Sequence, residues 1–252
     1  MLSASIDSTD KIIEKMKNKL IITQSNYIPW KGYMTSMKYA THIILYDTAQ
    51  YTRRDWRNRN KIITPNGPTW LSIPIDVKGK YHQKVNEAKV KNHTWSIDHW
   101  NKIRQNYRLA PHFKEYARIF EPVYREELPQ YEYLTDINKR MLQLCIELLG
   151  LEIEVLDSRD FEIRGDKTGK LINLCKDMNA DEYFTGPAAR NYINEDYFAD
   201  NDIALTYYDL EDFPTYEQQW DGFDHYVSVL DMFFNLGGST PSYFNWKKER
   251  VG

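Results

Sequence analysis

The residues with the most chemistry to offer fall into clusters. The first is Gln24, Asn26, Tyr27, Trp30, Lys31 and Tyr33. It follows the short apolar run Leu20-Ile21-Ile22 and precedes a helical pattern from Gly32 to Ala40. That places it at the carboxyl end of a strand, where open parallel sheets bind ligands. The free N–H groups of the following helix can receive an anion such as phosphate, and Lys31 adds a point charge. The plain alternative is a loop whose aromatics only pack on the sheet. No Walker lysine motif and no GxGxxG occurs here, so standard P-loop and dinucleotide readings gain no support.

The second cluster is the run Arg53 to Lys61, with five positive charges against one negative in a chain of net charge −3. Guanidinium groups such as those of Arg54, Arg57 and Arg59 grip phosphate and carboxylate in bidentate fashion. Strand alternation would put Arg57, Arg59 and Lys61 on one face and Trp56, Asn58 and Asn60 on the other. A solvated edge strand kept soluble by charge is the rival reading. Basic residues beside aromatics also fit nucleic acid, but the near-balance of 33 basic and 36 acidic residues argues against that partner.

Three further sets are candidates. His82 follows the basic loop Lys78-Gly79-Lys80 and can serve as an acid or base near neutral pH. No two of the histidines from 82 to 112 have the i, i+3 or i, i+4 spacing of a metal-binding helix, so no metal site is expected. Ser158, Thr185, Gly186 and Tyr192 sit at or just after strand ends, with Thr185-Gly186-Pro187 forming a tight turn whose amides can face a ligand. Tyr216 and Gln218 precede a helical face of Ser228, Asp231 and Asn235. That face either lines a polar pocket or forms a structural hydrogen-bonded network.

The elements that must position these groups read as α/β. Leu20–Ile22, a helix from Gly32 and Ile43–Tyr46 make a βαβ unit, which predicts a parallel sheet. Residues 51–82 contain the turn Pro65-Asn66-Gly67-Pro68 and read as a hairpin. Helical patterns fill about 95–149, closed by Gly150. A strand at 153–156, a helix capped by Thr168, a strand at 182–185, a helix over 188–198 and a strand at 203–208 complete a second parallel unit. A last helix is expected over 224–234. The expected fold is therefore Rossmann-like: a mainly parallel sheet flanked by helices, with an inserted β-hairpin and helical segment. Residues 1–18 read as a polar extension, 19–238 as one domain and 239–252 as a tail.

Composition narrows the class. The 252 residues include 19 Tyr, 10 Phe and 7 Trp, too many rings for a disordered chain. These rings bury large area while their hydroxyls and indole N–H groups seek partners. They crowd into residues 27–56 and 207–234, so rings are expected to wall a polar cleft between the first βαβ unit and the last helix. Cys145 and Cys175 lie in apolar helical patterns and are expected to be buried and inert. No stretch approaches the roughly 20 apolar residues of a membrane span, and the N-terminus lacks a secretory core. A cytoplasmic location is expected.

The sequence resembles the WbqC-like protein family. The likeness rests on Ile22-Thr23-Gln24-Ser25-Asn26-Tyr27-Ile28-Pro29-Trp30-Lys31-Gly32-Tyr33, Tyr46-Asp47 with Gln50-Tyr51, and Trp56-Arg57-Asn58-Arg59-Asn60-Lys61. It continues through Trp70-Leu71-Ser72-Ile73-Pro74, Tyr107 to Pro111, Tyr183-Phe184-Thr185-Gly186, Tyr216 with Gln218, and Ser228 to Asn235. Members often begin almost at the first strand, so the extension before Lys19 is a departure. The resemblance implies a role in bacterial surface-polysaccharide (O-antigen, lipopolysaccharide) biosynthesis, with glycine transfer to a sugar suggested for the family. A weaker likeness links Trp30-Lys31-Gly32-Tyr33 to the His-x-Gly-His turn of nucleotidylyltransferases, of which only the glycine is kept.

The resulting expectation is a transferase placing an acyl or aminoacyl group, glycine among them, on an amino sugar or nucleotide sugar. The four basic residues Arg54, Arg57, Arg59 and Lys61 would hold phosphates or a carboxylate. Tyr27, Trp30 and Tyr33 would stack on base or sugar. His82 or Asp47 would accept the proton, with Lys31 a further candidate catalytic group. The remaining polar residues of the motifs, Gln50 included, would bind substrate. ATP or another nucleotide is the candidate cofactor, and oligomeric state is left open. The rivals are a non-catalytic nucleotide-sugar binder or scaffold, a nucleotidylyltransferase-like enzyme, and a nucleic-acid protein.

Overall fold

The computed structural model describes residues 17–208 and 213–244. The polar extension, apart from its last two residues, and the tail from 245 lie outside the described residues. In chain order the elements are β1 (Lys19–Thr23), α1 (Lys31–Met37), β2 (His42–Leu45), β3 (Arg59–Thr64), β4 (Gly67–Ser72), α2 (Trp95–Tyr107), α3 (Phe113–Pro122) and α4 (Leu134–Leu149). Then come β5 (Glu154–Asp157), α5 (Lys167–Asp177), β6 (Glu182–Thr185), α6 (Glu195–Ala199), β7 (Ala204–Tyr207), α7 (Leu230–Leu236) and α8 (Thr240–Tyr243).

Five strands form one parallel sheet in the order β5-β2-β1-β6-β7. Its strands alternate between two apolar cores. Ile21, Ile43, Leu45 and Phe184 face the larger core, which also takes residues of α1 to α4 and α7. Leu20, Ile22, Ile44 and Tyr183 face a smaller one with Leu171, Ile172, Leu174 and Cys175 of α5. Burial on both faces is why these strands read as unbroken apolar runs. The strand order reverses direction at β1: β2 and β5 lie to one side, β6 and β7 to the other. Such a switch point leaves a crevice at the carboxyl ends of the two central strands.

The β3–β4 hairpin pairs antiparallel, with Thr64 opposite Gly67 and Gly67 at φ 93°. α4 ends on Gly150 at φ 62° and ψ 34°, the left-handed cap its sequence implies. Both cysteines are free and buried, and burial pushes each thiol up to about 12.

Some local expectations are corrected. α5 is capped by Asp166, whose carboxylate accepts from the Gly169 N–H at 2.7 Å, while Thr168 Oγ1 accepts from the Asn194 N–H. The helix expected over 188–198 splits into a 3₁₀ turn, Pro187–Asn191, and α6. The last helix begins at Leu230 instead of 224, because the backbone before it is engaged elsewhere. The Ser228 N–H donates to Lys61 O, and the Val229 N–H to Pro29 O. The chain from 240 packs against the body, with Thr240 and Phe244 buried.

Candidate functional site at the switch point

A cleft of about 630 Å³ opens over the carboxyl ends of β1 and β6. Thr23 lines it from the end of β1 with Gln24 just after, Thr185 from the end of β6 with Gly186 just after, and Tyr46 and Ala49 from the loop after β2. Lys167, Lys170 and Leu171 reach it from the first turns of α5, Tyr192 from the turn after β6, and Tyr208 from the end of β7. Arg57 closes it from the basic segment. Its size matches small-molecule and cofactor sites.

The charge of this lining is one-sided. Among the described residues, Arg57, Lys167 and Lys170 line the cleft and no Asp or Glu does. Lys167 and Lys170 form no ion pair among the described residues, whereas Arg57 keeps a 3.7 Å pairing with Asp55. The N-terminus of α5 adds the positive end of its dipole. Burial raises the phenols of Tyr46, Tyr192 and Tyr208, so near neutrality they stay protonated and can donate. The whole lining is suited to an anion carrying an apolar or aromatic body.

Arg57 is positioned by the loop after β1. Its Nη1 donates to the carbonyls of Gln24 at 3.4 Å and Ser25 at 3.3 Å and to Asn26 Oδ1. Beneath it, Asp47 is fully buried and accepts from the Ser25 N–H at 2.9 Å, the Ser25 hydroxyl at 2.6 Å and the Thr135 hydroxyl at 2.5 Å. Asn138 donates to Ser25 Oγ and to the Arg57 carbonyl, both at 2.9 Å. Burial raises the Asp47 carboxyl above its usual range, against the pull of these donors. Asp47 therefore shapes the cleft floor and does not face the cleft, as the expected proton acceptor would.

Other expected site residues are placed elsewhere. Tyr27 is fully buried, its hydroxyl 2.8 Å from His99 Nδ1 and 2.9 Å from Tyr124 OH, so its ring offers no stacking surface. Tyr33 is buried and donates to Gln24 O at 3.2 Å. Asn58 donates to Ile73 O, and Asn60 to the carbonyls of Tyr27 and Ile28. Asn60 thereby holds Ile28 at φ 37°, a conformation a β-branched residue rarely adopts. Trp30 packs against Phe213 and Tyr226 and over Gly32, where a Cβ would lie 2.3 Å from the ring. The turn 30–33 thus keeps its glycine for a packing reason.

The basic segment divides. Strand alternation holds for the buried Asn58 and Asn60 against the half-buried Arg57, Arg59 and Lys61. Trp56 breaks it: its ring lies 5.3 Å from Trp70, on the face where the Arg59 guanidinium sits 4.0 Å over the Trp70 ring. Lys61 pairs with Asp224 at 3.7 Å. Arg54 is exposed at φ 59° and lines no cavity described here. Gln50 donates to Tyr81 O at 2.9 Å, and exposed His82 lines a separate shallow groove. Ser158 is buried and accepts from the Thr48 N–H.

The expected cleft beside the last helix is filled. Asp231 is fully buried and accepts from Tyr107 OH at 2.8 Å, Tyr216 OH at 2.6 Å and Gln218 Nε2 at 2.8 Å. Asn235 donates to the Asp231 carbonyl within α7. Lys31 is 2% exposed and boxed by the rings of Phe213, Tyr216, Phe223 and Tyr243 at 5.0–5.5 Å. Burial lowers its amine to about 8. The aromatic excess here packs a buried polar network.

Of the expected residues, Gln24, Arg57, Thr185 and Gly186 meet in the open cleft, joined by Tyr192. Lys167, Lys170 and Tyr208 were missed. The signal was available: the first turn after any parallel strand sits at the ligand-binding end of the sheet.

Among the described residues, no helix is long and apolar enough to cross a membrane. The sequence pattern of the WbqC-like protein family matches residues 24–243. An uncharacterized protein of Mycobacterium tuberculosis (strain ATCC 25618 / H37Rv), Rv1507c, is 40% identical over 231 residues, 92% of this chain and 99% of that protein. No solved structure matches the chain. The chain belongs to the WbqC-like protein family.

Proposed function

We propose that this WbqC-like chain binds a nucleotide-activated sugar in the switch-point cleft. It would act in bacterial surface-polysaccharide biosynthesis of the O-antigen type. The observation that carries the reading is the cleft lining: among the described residues, three cations, three half-buried or exposed tyrosines and no carboxylate, at the strand ends where α/β sheets hold nucleotides. Arg57, Lys167 and Lys170 would neutralise the diphosphate, and Tyr46, Tyr192 and Tyr208 would donate to it or stack on base and sugar. The reaction proposed is transfer of an acyl or aminoacyl group, glycine included, to the amino group of the sugar. An amide bond forms as the donor's activating group leaves, and ATP is the source of activation where the donor is a free acid.

A second reading is favoured by one feature. Among the described residues, no Asp, Glu, His or Cys lines the cleft, so none of them offers the attacking amine an ordinary general base. That favours a nucleotide-sugar binder or scaffold without turnover. The nucleotidylyltransferase alternative loses support, because residues 30–33 are packed and contribute nothing to the cleft lining.

Calorimetry with UDP and UDP-N-acetylglucosamine tests the binding, and isotope-labelled glycine with ATP and an amino-sugar nucleotide tests the transfer. Binding with a labelled product supports the transferase. Binding without product supports the binder. No nucleotide binding at low salt overturns both.

A further inference from the structure

We infer that a second groove, beside the cleft, binds an acidic sugar through its phosphate or carboxylate. The groove holds about 390 Å³ and is lined by Tyr51, Arg53, Lys78, Lys80, Tyr81, Gln83 and Lys91, among others. Among the described residues, four of those lining it are cations and none is acidic, in a chain whose net charge is −3. Lys80 is already engaged with Asp76 at 2.7 Å. Arg53, Lys78 and Lys91 form no ion pair among the described residues. Three unpaired cations around one concavity favour an anion held by charge-assisted hydrogen bonds.

Two further features point to a sugar rather than to a bare anion. Gln83 is 8% exposed, and its Oε1 has no hydrogen-bond partner among the described residues, while its Nε2 is spent on the Asp76 carbonyl at 3.3 Å. A buried acceptor without a donor is uncommon in a folded protein; this oxygen is itself buried, so a sugar hydroxyl would supply that donor as the Gln83 amide turns toward the groove. Tyr81 is 82% exposed at the groove. A ring with one apolar face and a polar tip, left in solvent beside a charged groove, is the surface on which a sugar packs. Phosphate or carboxylate to the cations, a hydroxyl to Gln83 and a sugar face to Tyr81 account for the groove's polar and aromatic lining together.

The groove and the cleft share one segment of chain. Ala49 and Arg57 line the cleft, whereas Tyr51 and Arg53 line the groove. The Tyr51 N–H donates to Gln83 O at 2.9 Å, which ties the groove wall to that segment. The inference rests on the groove's own lining and stands whether or not the cleft binds a nucleotide.

Isothermal titration calorimetry on the full chain tests it, with glucose 1-phosphate and galacturonate as probes, glucose and inorganic phosphate as controls, and UDP for the cleft. The acidic sugars should bind, glucose should not, and inorganic phosphate should bind more weakly than the sugar phosphate. The Arg53→Ala/Lys91→Ala double variant should fold with an unchanged thermal midpoint and bind the acidic sugars about tenfold more weakly or worse. Its UDP affinity should match that of the unaltered chain. Sugar-phosphate binding without UDP binding would remove the cleft reading and support the groove. The inference is overturned if the acidic sugars do not bind, if the double variant binds them normally, or if inorganic phosphate binds as tightly as glucose 1-phosphate. It is equally overturned if the double variant loses binding only to phosphatidylglycerol vesicles, which would make the groove a lipid contact.

Discussion

The Lys31 amine lies 2.6 Å from Nδ1 of His225, joining positions 194 residues apart in the chain. The ammonium donates, so this ring nitrogen accepts and carries no proton. Burial first, and Lys31 second, hold the His225 imidazole below its ordinary value. The amine is not a free nucleophile but one side of a packed contact that closes residues 213–228 over the start of α1.

Replacing Lys31 by Met removes the neighbouring positive charge while keeping an unbranched side chain in the aromatic box. The His225 titration midpoint should then rise, as read from its ring proton shifts by NMR. UDP affinity should stay within about twofold, since Lys31 does not line the cleft. A collapse of UDP binding in a folded variant would return Lys31 to the site.

Arg57 and Lys170 carry different risks. Lys170→Ala should weaken UDP binding by roughly tenfold, the worth of one charge-assisted contact, with little change in thermal midpoint. Arg57→Lys should lose as much, because an ammonium cannot reproduce a fork that reaches Gln24, Ser25 and Asn26 together. Calorimetry at two salt concentrations separates the cases. Lys170→Ala should also flatten the salt dependence.

Asp47→Ala should behave as a folding variant. It strands the Ser25 and Thr135 hydroxyls and the Ser25 N–H, at a cost of about 3 kcal/mol, measurable by urea unfolding. Any loss of function should follow the unfolded fraction. A fully stable Asp47→Ala chain with abolished turnover would make Asp47 catalytic after all.

His99 gives the fold a pH dependence. Burial lowers its imidazole from 6.5 to about 3, with Nδ1 against Tyr27 OH. The depressed value means that the unfolded chain takes a proton which the folded one refuses. This contribution is complete above pH 6.5 and is lost as pH falls from there toward 3, by about 1 kcal/mol per unit near pH 5. Asp47 and Asp231, whose carboxyls are raised by burial, act with the opposite sign. The comparison that isolates His99 is the change in unfolding free energy from pH 7 to pH 5 in the natural chain against His99→Gln. The variant should show the shallower loss.

What the sequence made legible follows from how each signal arises. Ile43-Ile44-Leu45 could be read as a strand because a sheet covered on both faces leaves no polar positions to blur it. Arg57, singled out by the charge density around it, does line the cleft. Asp47 and Tyr27 are buried away from the cleft lining for one physical reason the sequence hides: a polar type does not reveal whether its partners are water or protein. The partner that settles Asp47, Thr135, lies 88 residues away. Nothing in the local sequence sets Lys167 and Lys170 apart from a solvated helix start; the fold brings them to the cleft beside residues of β1.

The position of β1 has a consequence for how the chain comes to be folded. Leu20 pairs with His42 on one side and with Tyr183 on the other. One edge of the first strand is therefore satisfied early in synthesis, and the other stays open until more than half of the chain has been made. During that interval Leu20, Ile21 and Ile22 present an unpaired apolar edge, the kind of surface that recruits the wrong strand or a chaperone. Truncation before residue 182 should therefore yield an aggregating product instead of a smaller stable domain. The same late closure creates the switch-point crevice, so the cleft is among the last features of the molecule to exist.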